Sequence, residues 1–254
     1  MARSRAVAHK ALELDPDLAE AHVALGLVQM YSWDWSEAER TFRHAIALNP
    51  GLVWAHSMYA LELAYLGRVE DSLAELRRAR ELDPLAVSPA ILDMTLMFES
   101  EDRHEQARVR LRTALELDPA SAAARKALGI YECNQGAPEN GIASLEKAMA
   151  LSPDDPLILA DLGYCHATAG SRDEAQRLLG ELEEWSGREY VDPVSLARLH
   201  VGLGEEEEAF ALLERAYELR SHLLPKIALD VRFDSLRSDP RFPDLLRRIG
   251  LPQS

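Results

Sequence analysis

The sequence predicts an all-α chain built as an array of stacked helix–turn–helix units. Three observations carry this. The hexapeptide ALELDP stands at residues 11–16 and again at 114–119, with weaker copies ending at Pro50, Pro84 and Pro153. Prolines 16, 50, 84, 119 and 153 are therefore spaced by 34, 34, 35 and 34 residues. Small and large side chains recur in register with that period. The composition, 47% apolar with only 5 Phe, 7 Tyr and 4 Trp, favours helix over strand, because unbranched side chains keep more rotamer freedom there.

With the proline placed at position 32, six units run 19–52, 53–86, 88–121, 122–155, 156–189 and 190–223, and only Val87 falls outside the frame. Position 8 reads Gly26, Ala60, Thr95, Gly129, Gly163 and Ala197; position 20 reads Ala38, Ser72, Ala107, Gly141, Ala175 and Ala209. Position 24 is Phe42 followed by Leu76, Leu111, Leu145, Leu179 and Leu213. Small residues at 8 and 20 facing a large one at 24 predict two helices in close contact. Gly67, Gly136, Gly170 and Gly204 occupy position 15, where the first helix must stop. Acidic residues follow, as in Glu205–Glu208, and suit the positive end of the second helix. The proline closes each unit by removing an amide donor and restricting its predecessor. Residues 1–18 read as a half repeat, a second helix without its first: either the fragment of a longer protein or a natural cap. Residues 224–254 read as a C-terminal helical cap, with Phe233, Leu236, Phe242, Leu245, Leu246 and Ile249 expected to cover the last repeat.

This pattern resembles the tetratricopeptide repeat, whose unit is a helix–turn–helix of 34 residues. The resemblance covers residues 1–223 and implies a right-handed α-solenoid with a concave and a convex side. A narrower likeness lies in YSWDWSEAERTFRHAIALNP (31–50), YVDPVSLARLHVGLGEEEEAFALLERAYELRS (190–221) and FDSLRSDPRFPDLLRRIGLP (233–252). These are similar to the first repeat, last repeat and tail of the repeat regions of bacterial signalling proteins. There the repeats follow a CadC-type winged-helix, serine/threonine kinase or cyclase domain.

In tetratricopeptide domains the concave face is lined by positions 2, 5, 9, 12 and 13 of the first helix. The resemblance thus implies a groove of Val23, Leu27, Met30, Tyr31, Trp54, Leu61, Tyr65, Leu92, Leu96, Lys126, Ile130 and Tyr164, with Ser57, Asn134 and Arg198 also on that face. Its first half is apolar and aromatic. Such a groove could hold an apolar peptide or helix, or be filled by the protein's own neighbouring segments. The Lys/Asn clamp for a C-terminal carboxylate is absent, with Lys126 its one remnant.

The net charge of −15, from 43 acids against 28 bases, disfavours a phosphate-binding surface and so a nucleic-acid partner. Four lysines, at 10, 126, 147 and 226, make no polybasic membrane patch. Neither a signal peptide nor a membrane span is expected, and a cytoplasmic setting is. Two cysteines, Cys133 and Cys165, fit quiet packing residues. No kinase, Walker A, G-x-S-x-G or H-E-x-x-H motif occurs; no catalysis, metal or cofactor is expected. His22 with His56 (position 4) and His166 with His200 (position 11) could approach across neighbouring helices, as packing groups or, less simply, as metal ligands. Trp33 stands at position 15, as a plug between helices or an exposed hook. The expected function is a protein-interaction scaffold, the repeat region of a bacterial signalling or transcription-regulating protein. The alternative is a peptide or small-molecule sensor controlling an effector. The expected partner is a protein or peptide, self-association included.

Overall fold

The computed structural model describes residues 2–83 and 101–252. The chain divides into two units, Met1–Leu96 with Leu246–Ser254 and Met97–Leu245. In the first, α1 (Ala2–Leu14), α2 (Ala19–Tyr31), α3 (Trp35–Leu48), α4 (Val53–Tyr65) and α5 (Val69–Leu82) pack each on the next, and α2 also lies against α4. In the second, α6 (Glu101–Leu117), α7 (Ala122–Asn134), α8 (Pro138–Leu151), α9 (Pro156–Thr168), α10 (Arg172–Ser186), α11 (Pro193–Leu203) and α12 (Glu206–Glu218) repeat the scheme, α9 touching both α7 and α11. Two 3₁₀ segments, Leu224–Ala228 and Val231–Leu236, and α13 (Arg241–Arg248) follow. Each unit is a segment of an all-α solenoid.

Within a repeat, the two helices meet backbone to side chain. A Cβ added to Gly26 would sit 2.7 Å from the Phe42 ring, and one at Gly129 would sit 2.7 Å from Leu145 Cγ and 2.8 Å from the Gly141 carbonyl. Position 8 is thus small because position 24 fills the space above it. In the second repeat, where position 8 is Ala60, the Ser72 hydroxyl at position 20 donates to the Ala60 carbonyl at 2.6 Å. Phe42, Leu76, Leu111, Leu145 and Leu213 are wholly buried, as are Ala38, Ala45, Ala79 and Ala148. Burying one such large side chain contributes about 1.5–3 kcal/mol.

The turns keep one backbone geometry. Gly67, Gly136, Gly170 and Gly204 have φ between 71° and 79°, and Trp33, at the same position, has φ 63°. A tryptophan there holds the left-handed conformation against its preference, and its side chain is half-buried, neither a full plug nor a free hook.

The position-4 histidines do not pair. His22 Nε2 donates to the Pro16 carbonyl at 2.8 Å and His56 Nε2 to that of Pro50 at 3.1 Å; in the fourth repeat Arg125 reaches Pro119 O at 2.8 Å. Each donor satisfies the carbonyl six residues back, at the proline that ends the preceding helix. His56 Nδ1 also lies 2.6 Å from Glu75 Oε2. Both its ring nitrogens face acceptors, and the Glu75 hydrogen bond, outweighing burial, raises its pKa.

Residues 246–252 belong with the first repeats, not the last. The Trp35 indole N–H donates to the Ile249 carbonyl at 2.7 Å. Gly250, at φ 78°, faces the Trp35 ring, where a Cβ would stand 3.1 Å from it, and Pro252 Cγ lies beside Gly67. Behind Trp35, the Tyr65 ring stacks edge-on at 6.2 Å. The expectation that Leu246 and Ile249 cover the last repeat therefore fails. A period read along the repeats carries no register for a segment outside it.

One buried acid stands out. Glu62 of α4 is fully buried, and among the described residues neither carboxylate oxygen makes a hydrogen bond of ordinary geometry. Burial, then the nearby Glu39 charge, pushes its pKa up from 4.5 to about 8. Glu39 itself is held low: burial works against it, but Arg68 at 2.7 Å and the Tyr59 hydroxyl at 3.0 Å outweigh that.

Three outcomes test these packing claims. Gly129→Ala should destabilise the fold by about 1–3 kcal/mol, because the opposing Gly141 carbonyl is backbone and cannot rotate away; a thermal melt indistinguishable from the parent would show the helices less closely opposed. A folded-state Glu62 pKa above the unfolded one means the folded chain binds the proton more tightly. Stability should then fall as pH rises from 4.5 to about 8. His56 acts in the same sense over a higher range, so Glu62→Gln should flatten the slope between about pH 5 and 6 most; equal slopes in urea titrations would refute the assignment. Deleting residues 246–254 should uncover Trp35 and speed amide exchange in α3 and α4, by roughly tenfold for each 1.4 kcal/mol of local stability lost; unchanged protection there would mean those residues contribute nothing.

Candidate functional site

The residues expected to line a groove fall into three groups. Val23, Met30, Leu61 and Tyr65 are buried, Val23 and Met30 completely. These four offer no surface to a partner; apolar rings and chains in a narrow inter-helix space are covered by the protein itself. Leu27, Tyr31, Lys126, Ile130 and Tyr164 are half-buried, and the Trp54 indole on α4 is 38% exposed. Leu92 and Leu96 lie outside the described residues. In the first unit the surface left at groove positions is therefore Trp54 with the half-buried Leu27 and Tyr31. The Tyr65 hydroxyl is buried with no hydrogen-bond partner among the described residues, and burial drives its pKa far up.

In the second unit, groove positions are joined by the tail. Asp161 Oδ1 on α9 accepts from Arg198 Nη1 of α11 at 3.0 Å and from Arg232 Nη1 of the second 3₁₀ segment at 2.6 Å. Asp230 takes two hydrogen bonds from the Arg232 guanidinium, both at 2.7 Å, and one from its backbone amide at 3.1 Å, and lies 3.4 Å from Arg198 Nε. All four side chains are buried. Burial alone would raise the Asp230 pKa, but the charges of Arg232 and Arg198 bring it down to about 2. The arginines are matched, one carboxylate each, which is what makes their burial tolerable. The Arg232 guanidinium lies 5.7 Å from the Tyr164 ring centroid, on the groove side of α9. Further along the tail, Arg241 stacks 3.9 Å over the Phe210 ring and pairs with Glu207 at 2.8 Å.

Lys226 lies in the first 3₁₀ segment. It is half-buried, and desolvation first, then the positive charges of Arg198 and Lys126, lowers its pKa to about 8. Its ammonium has no ion pair or hydrogen bond among the described residues; Lys126 has one ion pair, with Asp155 at 3.8 Å. Sequence reasoning placed Lys126, Tyr164 and Arg198 on one face. It missed Trp35, Asp161, Lys226, Asp230 and Arg232. Trp35 was visible in WDW and Asp161 lies within the fifth repeat, but Lys226, Asp230 and Arg232 carry no signal, since a tail without a period has no predicted face.

The remaining candidates are quieter. Cys133 and Cys165 are free and buried; Cys133 Sγ lies 3.2 Å from Thr168 Oγ1. Hydrogen bonding between the two thiols lowers the pKa of Cys133 and raises that of Cys165. His200 pairs with Glu205 at 2.9 Å, not with His166. Among the described residues no cluster of three His, Cys, Asp or Glu could hold a metal, and no helix is long and apolar enough to cross a membrane. An open cavity of about 430 Å³ in the second unit is lined by Met149, Leu159, Leu162, Leu178, Trp185 and Arg188 among others.

Comparison with known proteins follows this geometry. Residues 134–192 match the tetratricopeptide-repeat family model. Superkiller complex protein 3 of Mus musculus is 23% identical over 229 residues, covering 86% of this chain and 14% of that protein. Superkiller protein 3 of Schizosaccharomyces pombe is 24% identical over 216 residues, covering 81% of this chain and 15% of that protein. The chain thus spans about one seventh of the length of the curated relatives it matches. Among solved structures, the thermophilic repeat protein TTC0263 of Thermus thermophilus superposes with a TM-score of 0.62 at 23% identity, over 73% of this chain and 98% of that one. A chain of the APC/C Cut9–Hcn1 hetero-tetramer superposes with a TM-score of 0.65 at 16% identity, over 98% of this chain and 46% of that one. The segment 134–192 thus matches the tetratricopeptide repeat, and the chain has the all-α solenoid fold of such proteins.

Proposed function

We propose that this chain is a protein-interaction scaffold that holds a protein or peptide, without chemistry of its own. The observation that carries the reading is the exposed Trp54 on α4, at a groove position of a unit whose other aromatic groove residues are half-buried (Tyr31) or covered by the protein itself (Tyr65). A large indole left 38% exposed gains most by burial against a partner, and tryptophan is among the residues that most often dominate such contacts. The fold supports the same reading, and a structural neighbour is a chain of the Cut9–Hcn1 hetero-tetramer. The finer proposal is that the repeats are the regulatory region of a bacterial signalling or transcription-regulating protein acting in the cytoplasm. It rests on the first-repeat, last-repeat and tail segments at 31–50, 190–221 and 233–252. The sensor alternative would use the cavity of about 430 Å³ beside Trp185.

Trp54→Glu should remove partner capture while leaving helicity and melting temperature within the range of surface changes, about 0.5 kcal/mol. The matching substitution at Tyr65 is unsuitable, because that ring is 1% exposed and a carboxylate there would unfold the first unit. Normal capture by Trp54→Glu in a pull-down would end the groove reading. Loss of capture on altering Trp185 instead would move the function to the cavity.

A further inference from the structure

The fifth repeat departs from the others where its second helix ends. Position 30 is leucine in the other five repeats (Leu48, Leu82, Leu117, Leu151 and Leu219) and Trp185 here, and Gly187 replaces the proline of the first four. With an amide in place of proline, the chain winds on past the helix. The Gly187 amide donates to the Glu183 carbonyl at 3.1 Å, and the Arg188 and Glu189 amides both donate to the Trp185 carbonyl at 2.9 Å. The turn gathers three side chains. The indole N–H of Trp185 points to Glu189 Oε2, 3.5 Å away, and Arg188 Nε donates to the Glu184 carbonyl at 3.3 Å.

Two open cavities of the second unit share this turn. The one of about 430 Å³ has apolar walls in Met149, Leu159, Leu162 and Leu178; the other, of about 420 Å³, is lined by Asp154 and Glu189. Trp185 and Arg188 line both. Charge around the two cavities is uneven. Arg177 is taken up by Glu174, at 2.5 Å, and by Glu181. The Asp154 and Glu184 carboxylates make no ion pair or hydrogen bond among the described residues, and Glu189 has only the distant indole. Among the lining residues, Arg188 alone stands against these three carboxylates.

An apolar hollow with an indole and surplus negative charge at its edge fits two neighbouring side chains, one aliphatic and one cationic. The aliphatic chain fills the larger cavity. The cation lies against the Trp185 ring, where the Asp154 and Glu189 carboxylates complement its charge. We propose that this surface binds a basic partner segment in which a large aliphatic residue stands beside arginine. The net charge of −15 favours the approach of such a segment. This is a second docking surface, separate from the groove position of Trp54, and it does not depend on that groove.

The probe is the capped hexapeptide Ala-Ala-Leu-Arg-Ala-Ala. The chain has four tryptophans, so four indole N–H signals can be followed by NMR. The Trp185 signal should move with millimolar peptide while those of Trp33, Trp35 and Trp54 stay put. Followed on the peptide's own signals, binding should weaken roughly tenfold when its leucine becomes alanine, and vanish when its arginine becomes glutamate. It should fall by roughly threefold to fivefold in Trp185→Leu, which restores the residue of the other repeats and should leave the melting temperature unchanged. Asp154→Asn with Glu189→Gln should weaken it and flatten its salt dependence, and Arg188→Gln should tighten it. A Trp185 signal unmoved at millimolar peptide, or equal binding by Trp185→Leu, would overturn the site. Equal binding of the glutamate peptide would overturn the choice of a basic segment. A shift of Trp54 in place of Trp185 would refute this surface and leave the scaffold reading standing.

Discussion

The close approach of the two helices in each repeat is the constraint on which the rest depends. At Gly129 the first helix comes so near the second that a single methyl would meet the Gly141 carbonyl. That distance decides the other choices. It puts a large side chain at position 24 to fill the space beside the contact, and a small one, such as Ala38, Ser72 or Gly141, at position 20 where the helices touch. It also fixes where the next first helix can lie: a Cβ on Gly163 would stand 2.5 Å from Leu199 of α11. Close packing of this kind transmits any change of volume, so one small residue in each repeat sets the spacing for its neighbour.

Polar groups join this frame wherever a helix ends. The proline that ends a second helix leaves its carbonyl without a helical partner, and a long donor six residues on, His22, His56 or Arg125, supplies one. The same requirement in reverse explains Asp155 and Asp192, whose carboxylates accept from the amides of Leu157 and Val194 at the starts of α9 and α11. Glu62 is the exception. It is buried without a hydrogen bond of ordinary geometry among the described residues, and burial with the Glu39 charge raises its pKa to about 8, which favours the neutral acid. Charge is handled differently in the second unit, where two aspartates and two arginines cancel one another out of water.

The tail changes what the repeats present. Residues 230–232 occupy the surface beside Tyr164 and Arg198, and residues 249–252 cover Trp35. The C-terminal segment therefore lies on Trp35 in the first unit and beside Tyr164 and Arg198 in the second. At groove positions of the first unit the indole of Trp54 stays exposed.

How far the sequence speaks is clearest at particular residues. The 34-residue period, the glycines at position 15 and the small–large pairing of Gly129 with Leu145 were legible because each reflects contacts within one unit or with the next. Such contacts repeat, and repetition is visible in a single chain. The groove was legible only in part. Position numbers named Val23, Met30 and Tyr65 as lining, but whether a lining residue is open depends on what lies over it. The histidines show the same limit: their recurrence was plain, yet their partner is a backbone carbonyl that carries no residue identity. Trp35 meets Ile249 across 214 residues, and Asp161 meets Arg232 across 71. No period links those pairs. The sequence by itself determined the helices, their turns and their pairing, since these follow from local sterics and a repeated apolar pattern. Only the tertiary structure decided which surfaces stay open and where charges gather, because an aperiodic tail finds its place through long-range packing alone.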